Sequence, residues 1–232
     1  MHIPDGYLSP ATCVVLYAAS APFWYIAAQR TKRFLTSRMV PLLSLLSAFV
    51  FVIMMFNIPL PGGTTGHAVG GTLLAVVLGP WPAVLGVTVA LVIQALLFGD
   101  GGITAIGAHS FNMAVVLPIV GYYIYRLVSG NAPTTSRRHV VGAAIGAYFG
   151  LNVAAFLTAL ELGMQPLFFH AADGTPLYAP YGLEIALPVM MVSHLLVAGV
   201  LEGLVTGLAV AYLQKAHQPL LALRAGWAGA RT

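Results

Sequence analysis

The chain has 232 residues, 59% of them hydrophobic and only 7% charged. So few charges leave too little polar surface to coat a soluble globule of this length, which excludes an ordinary water-soluble domain. The net charge of +4 accompanies no recognisable nucleic-acid module, so it is read first as topology information.

A hydrocarbon core roughly 30 Å thick asks for about 20 apolar residues per helical crossing. In chain order, the apolar runs predict membrane segments at 11–29, 39–58, 68–79, 82–98, 103–128, 139–163 and 185–213. The expected fold is an all-α integral membrane protein of about seven transmembrane helices, a single membrane domain over 1–232. The third and fourth segments would merge into one kinked helix if Gly79-Pro80-Trp81-Pro82 were a bend and not a turn. Charge distinguishes the two. With seven crossings, Arg30, Lys32, Arg33, Arg38, Arg126, Arg137, Arg138, Lys215, Arg224 and Arg231 all fall on one side; with six, the Arg137-Arg138 loop crosses to the other. The positive-inside rule favours seven, a cytoplasmic C-terminus, and an N-terminus outside with Asp5, Asp100, Asp173 and Glu184. The lone Cys13, in an apolar run, has no disulfide partner within the chain and reads as a space-filling residue.

The opening Met1-His2-Ile3-Pro4-Asp5-Gly6-Tyr7 carries no basic stretch of the kind that begins a cleavable leader, so the mature chain is expected to start at residue 1. An α-amine, the next backbone nitrogen and an imidazole at position 2 form a compact chelate. Amine and amide close a five-membered ring, and amide and His2 Nδ1 a six-membered one. Such coplanar nitrogens suit Ni(II) or Cu(II) better than tetrahedral Zn(II), and affinity should fall in acid because the His2 amide proton is displaced. The same residues also fit a frayed tail with an accidental His.

The connector Asn57-Ile58-Pro59-Leu60-Pro61-Gly62-Gly63-Thr64-Thr65-Gly66-His67 precedes a third segment too short for a full crossing, so it must dip inward. Irregular backbone at membrane depth is tolerated where it is buried in protein or lines a watery cavity. His67 is therefore a candidate fourth ligand, or else a structural His in a tight turn. Gly62, Gly63 and Gly66 would permit close backbone approach by the N-terminus.

The opening Met1-His2-Ile3-Pro4-Asp5-Gly6-Tyr7-Leu8-Ser9-Pro10, the Gly62-Gly63-Thr64-Thr65-Gly66-His67 loop and the run Gly101-Gly102-Ile103-Thr104-Ala105-Ile106-Gly107-Ala108-His109-Ser110-Phe111-Asn112-Met113 resemble the CbiM/NikM substrate-capture subunits of energy-coupling factor (ECF) transporters for cobalt and nickel. The resemblance covers nearly the whole chain. It implies a metal-binding segment 1–10, an extra N-terminal helix 11–29, a six-helix core 39–213 and a cytoplasmic tail 214–232. It implies that the amine of Met1, the amide and imidazole of His2, and His67 hold Ni2+ or Co2+ as the transported substrate; the resemblance spans both metals, the expected planarity of the donors favours nickel, and no organic cofactor is expected. It also implies, as partners, a membrane coupling subunit, cytosolic ATPases and a small accessory membrane subunit, with Ser44 and Ala48 on the second segment as a docking motif.

Asp5, Asn57, His109 and Ser110 are candidate supports around the ligands, His109 first, since ligating imidazoles commonly need a partner on the other ring nitrogen. His109 fits a helix-start cap equally well. His139, His170 and His217 fall near loops and are expected to be solvated. A carboxylate within a membrane segment usually faces the bundle interior or a partner. Glu202 is expected to make structural polar contacts, with His194 on the same face as one possible partner, and Glu161 to reach the interface. The stripes Gly142-x-x-x-Gly146-x-x-x-Gly150 and Gly199-x-x-x-Gly203-x-x-x-Gly207 are expected to pack helices within the chain. No Walker-type phosphate loop is present, so the chain is expected to be a binding component and not an enzyme. Two other classes remain open: a stand-alone metal carrier or channel, and an intramembrane serine protease built on Ser110 and His194, which lacks the expected Gly-x-Ser-Gly and leaves the N-terminus unexplained.

Overall fold

The computed structural model describes residues 1–33, 39–60 and 64–216. Arg38, Gly62, Gly63, His217, Arg224 and Arg231, each of which bears on the sequence reading, lie outside the described residues.

Among the described residues seven helices follow one another: α1 (Pro10–Lys32), α2 (Met39–Met54), α3 (Gly71–Leu78), α4 (Pro80–Phe98), α5 (Ile106–Ser129), α6 (Arg137–Phe168) and α7 (Leu183–Ala216). Five of them, α1 and α4 to α7, are long and apolar enough to cross a bilayer, and α2 is a shorter apolar helix. One departure from all-α is the connector after α2, which forms an antiparallel pair, β1 (Ile58–Leu60) with β2 (Thr64–Gly66), Ile58 opposite Gly66. The pairing joins backbone groups of a connector that is exposed at Ile58, Pro59 and Thr65 and becomes buried only at Gly66 and His67.

The expected third segment is shorter still than 68–79 suggested. Its eight helical residues rise only about 12 Å. Each of them is buried. Gly79, at φ +98°, reverses the chain, and a Cβ on Gly71 would stand 3.5 Å from Val87 while one on Gly86 would stand 2.8 Å from Leu74. That antiparallel contact makes Gly79-Pro80-Trp81-Pro82 a turn between two helices. Leu73, Leu74 and Val77 of α3 pack with Val87 and Leu91 of α4, Met113 and Leu117 of α5 and Leu151 of α6 to form the main core.

The glycine stripes pack within the chain. A Cβ on Gly150 would lie 2.6 Å from the Leu117 carbonyl, so α6 meets α5 almost backbone to backbone, and one on Gly203 would lie 3.0 Å from the Ala144 carbonyl, seating α7 on α6. Three long helices widen into π-helical turns: α4 at Gln94–Phe98, α5 at Ser110–Val116 and α7 at His194–Ala198. In α5 the cause is local, since Pro118 has no N–H to return to Ala114 within the widened turn.

Among the described residues, the Lys and Arg side chains gather at one end of the bundle. Arg30 stacks 4.8 Å over Trp81, Arg138 bonds to the Val128 carbonyl and Gln214, beside Lys215, bonds to the carbonyls of Thr134 and Ser136. The N-terminus lies at the opposite end, with large apolar side chains such as Val14, Leu127, Leu196 and Leu208 exposed along the helices between.

Candidate metal centre

The first nine residues are not a frayed tail. Met1, Ile3 and Leu8 are buried, and the backbone between them is tied to three other parts of the chain. The Ile3 amide donates to His109 Nε2 at 2.7 Å, and the Gly102 amide donates to the Ile3 carbonyl at 2.8 Å. The Asp5 carboxylate accepts the amides of Ile103 at 3.1 Å and Thr104 at 2.9 Å, together with the Thr104 hydroxyl. Farther along, the Ala179 amide donates to the Tyr7 carbonyl at 3.0 Å and the Ser9 amide to Gln165 Oε1 at 2.9 Å. Ser9 then caps α1, its hydroxyl accepting the Thr12 amide, with Pro10 in the first turn.

This docking brings three imidazoles together beneath the N-terminus. The His2 ring centroid lies 4.9 Å from that of His67 and 5.5 Å from that of His109. His2 Nδ1 stands 2.7 Å from Asp100 Oδ1, and its Nε2 is buried without a partner. His67 Nδ1 lies 3.2 Å from the Ala68 carbonyl, which can only accept, so this nitrogen carries the proton and the buried, unpartnered Nε2 keeps its lone pair. His109 Nε2 is already committed to the Ile3 amide. It therefore holds the N-terminal segment in place and offers no free lone pair at that atom.

Electrostatics favours neutral nitrogens in this chamber. Burial pushes the Met1 amine down to about 6, against the pull of Asp100. Burial likewise lowers His2, with Asp100 opposing, and lowers His67 well below its ordinary value, helped by the charges of the amine and His2. Burial raises Asp100, but its contact with His2 and the neighbouring positive charges outweigh that and hold it below the usual carboxylate range. At neutral pH these shifts favour uncharged nitrogens beside one carboxylate, with the His2 Nδ1 proton directed at Asp100, an arrangement that favours a cation over further protons.

A family model described as cobalt uptake substrate-specific transmembrane region, CbiM, matches residues 2–220. This chain belongs to the CbiM family. It is 55% identical over 224 residues to the fused nickel transport protein NikMN of Rhodobacter capsulatus, covering 97% of this chain and 65% of that protein. It is 52% identical over 217 residues to the probable fused nickel transport protein LarMN of Lactiplantibacillus plantarum, covering 93% of this chain and 65% of that protein. The chain thus spans just under two thirds of these fused relatives. A crystal structure of a truncated transition metal transporter superposes with a TM-score of 0.88 at 56% identity, covering 94% of this chain and all of that one. Membership and the long apolar helices together make this a multi-pass membrane protein.

Within this CbiM-family chain the other candidate residues divide clearly between the chamber and its surroundings. Asp5 clamps the N-terminal segment from an exposed position, through the loop before α5. Ser110 is fully buried, and its hydroxyl has no hydrogen-bond partner, so no Ser110–His194 dyad is formed. His194 instead bonds through Nδ1 to the Met190 carbonyl at 2.8 Å. Asn57 is exposed at the start of the hairpin, outside the buried chamber. Ser44 and Ala48 are exposed on α2, with the Ser44 hydroxyl turned back onto the Val40 carbonyl.

Two expectations, on Glu161 and His139, are corrected, and the partner of Glu202 is identified. Glu161 does not reach an interface: it is buried, and accepts from Asn112 Nδ2 at 2.9 Å. Glu202 makes the structural polar contacts expected of it, but with the amides of Val69 and Gly70 at the start of α3 and not with His194. His139 is only half exposed, bonded to the Tyr125 hydroxyl at 2.7 Å. Asp100 and Gln165 join the site without having been singled out by the sequence. Asp100 carried a readable signal, an acid flanked by Gly99, Gly101 and Gly102 immediately before the run that contains His109, whereas nothing local distinguishes Gln165.

Proposed function

We propose that this chain captures a divalent transition-metal ion, nickel in preference to cobalt, from outside the cell and releases it inward as the substrate-binding subunit of an ECF-type importer. The observation that carries the proposal is the burial of Met1 and of the His2 side chain against His67, whose Nε2 is buried and unpartnered. The donor set is the Met1 amine, the His2 amide and Nδ1, and His67 Nε2. Among the described residues no three His, Cys, Asp or Glu side chains form a ready cage, so the proposed set draws two of its four nitrogens from the main chain. Ligation through His2 Nδ1 requires that nitrogen to exchange Asp100 for the metal and the ring proton to move to the unpartnered Nε2. Four nitrogens in one plane favour nickel over cobalt, in keeping with the Irving–Williams order.

Orientation follows from charge. The basic end of the bundle faces the cytoplasm and the chamber faces out, as the positive-inside rule requires. Energy comes from partners, a membrane coupling subunit with cytosolic ATPases and a small accessory membrane subunit, and the exposed Ser44–Ala48 face of α2 is the proposed docking surface for the coupling subunit. The names of the fused relatives, which join a second part to a chain of this kind, support a multicomponent system. Residues 1–232 act as one membrane domain that binds and does not catalyse.

The test is the metal content, and the nickel and cobalt affinity, of purified protein with an unblocked Met1, beside His2→Ala and His67→Ala. Stoichiometric nickel in the parent chain, lost in both variants, is the expected result. Cobalt bound at least as tightly would remove the nickel preference, and intact binding in the variants would remove the site. Uptake into vesicles lacking every ATPase and coupling subunit would replace the importer with a stand-alone carrier.

A further inference from the structure

Glu202, in α7, is fully buried. Its carboxylate accepts the Val69 amide at 2.6 Å and the Gly70 amide at 3.0 Å. These are orphan donors at the start of α3, where the Leu74 amide already returns to the Gly70 carbonyl. Helix starts are ordinarily capped by a local Ser, Thr, Asp or Asn. Here the cap position is Gly70, at φ +75° and with no side chain, and the acceptor arrives from 132 residues away. A buried carboxylate is costly unless its hydrogen bonds are well made, so this contact fixes the Val69–Gly70 backbone tightly.

His67 stands two residues before that clamp, and its ring is turned by its own contact with the Ala68 carbonyl. The position of Glu202 is in turn set by α7 against α6, where Gly203 meets the Ala144 carbonyl. Just before Glu202 lies the π-helical turn His194–Ala198, which packs against β2 on the other side of His67. The short segment that carries His67 is thus held from both sides by one stretch of α7.

We propose that Glu202 is the positioning residue for His67, a carboxylate latch through which the seating of α7 on α6 sets metal affinity. The inference rests on the reading of His67 as a metal donor. A shift of α7 carries Val69 and Gly70 with it and moves Nε2 relative to Met1 and His2, so that a movement in the helix bundle loosens the metal without touching it.

The experiment is a double-mutant cycle on the full chain, with nickel affinity and the visible nickel spectrum as readouts. Glu202→Gln keeps the shape but offers one acceptor and turns an amide against the second N–H. It is expected to weaken nickel binding about tenfold, the scale typical of outer partners of metal ligands. It is also expected to shift the spectrum in the same direction as His67→Ala. In the His67→Ala background the same change should alter the residual affinity less than about twofold, because the donor it positions is already gone. If Glu202→Gln does not yield folded protein, Gly203→Ala supplies the same cycle by pushing α7 off α6. Equal losses in both backgrounds would mean a merely structural role and overturn the proposal. Unchanged affinity in Glu202→Gln beside a weakened His67→Ala overturns the latch alone; unchanged affinity in His67→Ala overturns the ligand assignment and the latch with it.

Discussion

Asp100 Oδ1 stands 2.7 Å from His2 Nδ1, the ring nitrogen that a six-membered chelate with the His2 amide requires. Two effects of the carboxylate oppose each other when metal arrives. It competes for Nδ1, and a hydrogen bond to a charged group is worth about 1.5–3 kcal/mol. It also attracts the cation, and two unit charges about 4 Å apart at an effective dielectric of about 20 interact by about 4 kcal/mol, more for a divalent ion. Attraction wins. Asp100→Asn is expected to weaken nickel binding by about tenfold or more in calorimetry, the range of outer-partner losses; tighter binding would show that competition dominates.

Gly101 provides a steric test of the same chamber. Its φ is +91°, and a Cβ there would lie 2.6 Å from the His109 ring. Gly101→Ala therefore strains the backbone and displaces the imidazole that accepts the Ile3 amide, at a cost of about 1–3 kcal/mol. The variant is expected to lower both thermal stability and nickel affinity, whereas Gly99→Ala, also at positive φ but with nothing near its Cβ, lowers stability alone.

The helices were legible because hydropathy reports solvent directly, and the turn at Gly79 was legible because charge on distant loops chose between two readings of it. His2 and His67 were legible because their chemistry is local: a His behind an α-amine, and a His closing a glycine-rich dip. Glu202 and Gln165 were not, since each reaches backbone more than 130 residues away and its sequence neighbours reveal nothing of that partner. The hairpin at Ile58–Gly66 was hidden because Pro59, Pro61 and the glycines read as loop, while the strand pairing is a backbone match that no side-chain pattern announces.

Affinity should depend on pH in two regimes. The His2 amide proton is released on chelation at any ordinary pH, which gives one proton per metal. The Met1 amine, lowered from 8.0 to about 6 by burial, docks as the neutral form; docking is fully supported above pH 8 and lost as pH falls through about 6. The logarithm of nickel affinity should thus fall by about one per pH unit down to roughly 6.5, and by about two below 6. A free peptide of residues 1–6, with an exposed amine near its ordinary value, should show the steeper slope already below pH 8. Competition against a chelator across this range makes the comparison. A slope of two in the protein at pH 7 would mean an exposed amine, and a slope of zero an amide that keeps its proton.

One glycine added before Met1 separates the chelate from every other use of the N-terminal segment. It converts the Met1 amine into an amide and places the new amine a residue farther out. The docked segment has no slack to absorb the shift, because Met1 is only 6% exposed and both the amide and the carbonyl of Ile3 are engaged. The Asp5 clamp and the helices are untouched, so the extended chain should remain monodisperse with an unchanged helical signal. Nickel affinity should nevertheless fall by more than the 10–100-fold typical of losing an outer partner, since a direct donor is gone. Extension that left affinity intact would assign the metal to the side chains of His2, His67 and Asp100 and remove the main chain from the site. Extension that unfolded the protein would instead make the buried N-terminus a structural plug, a result that the helical signal and the nickel titration, measured on the same sample, tell apart.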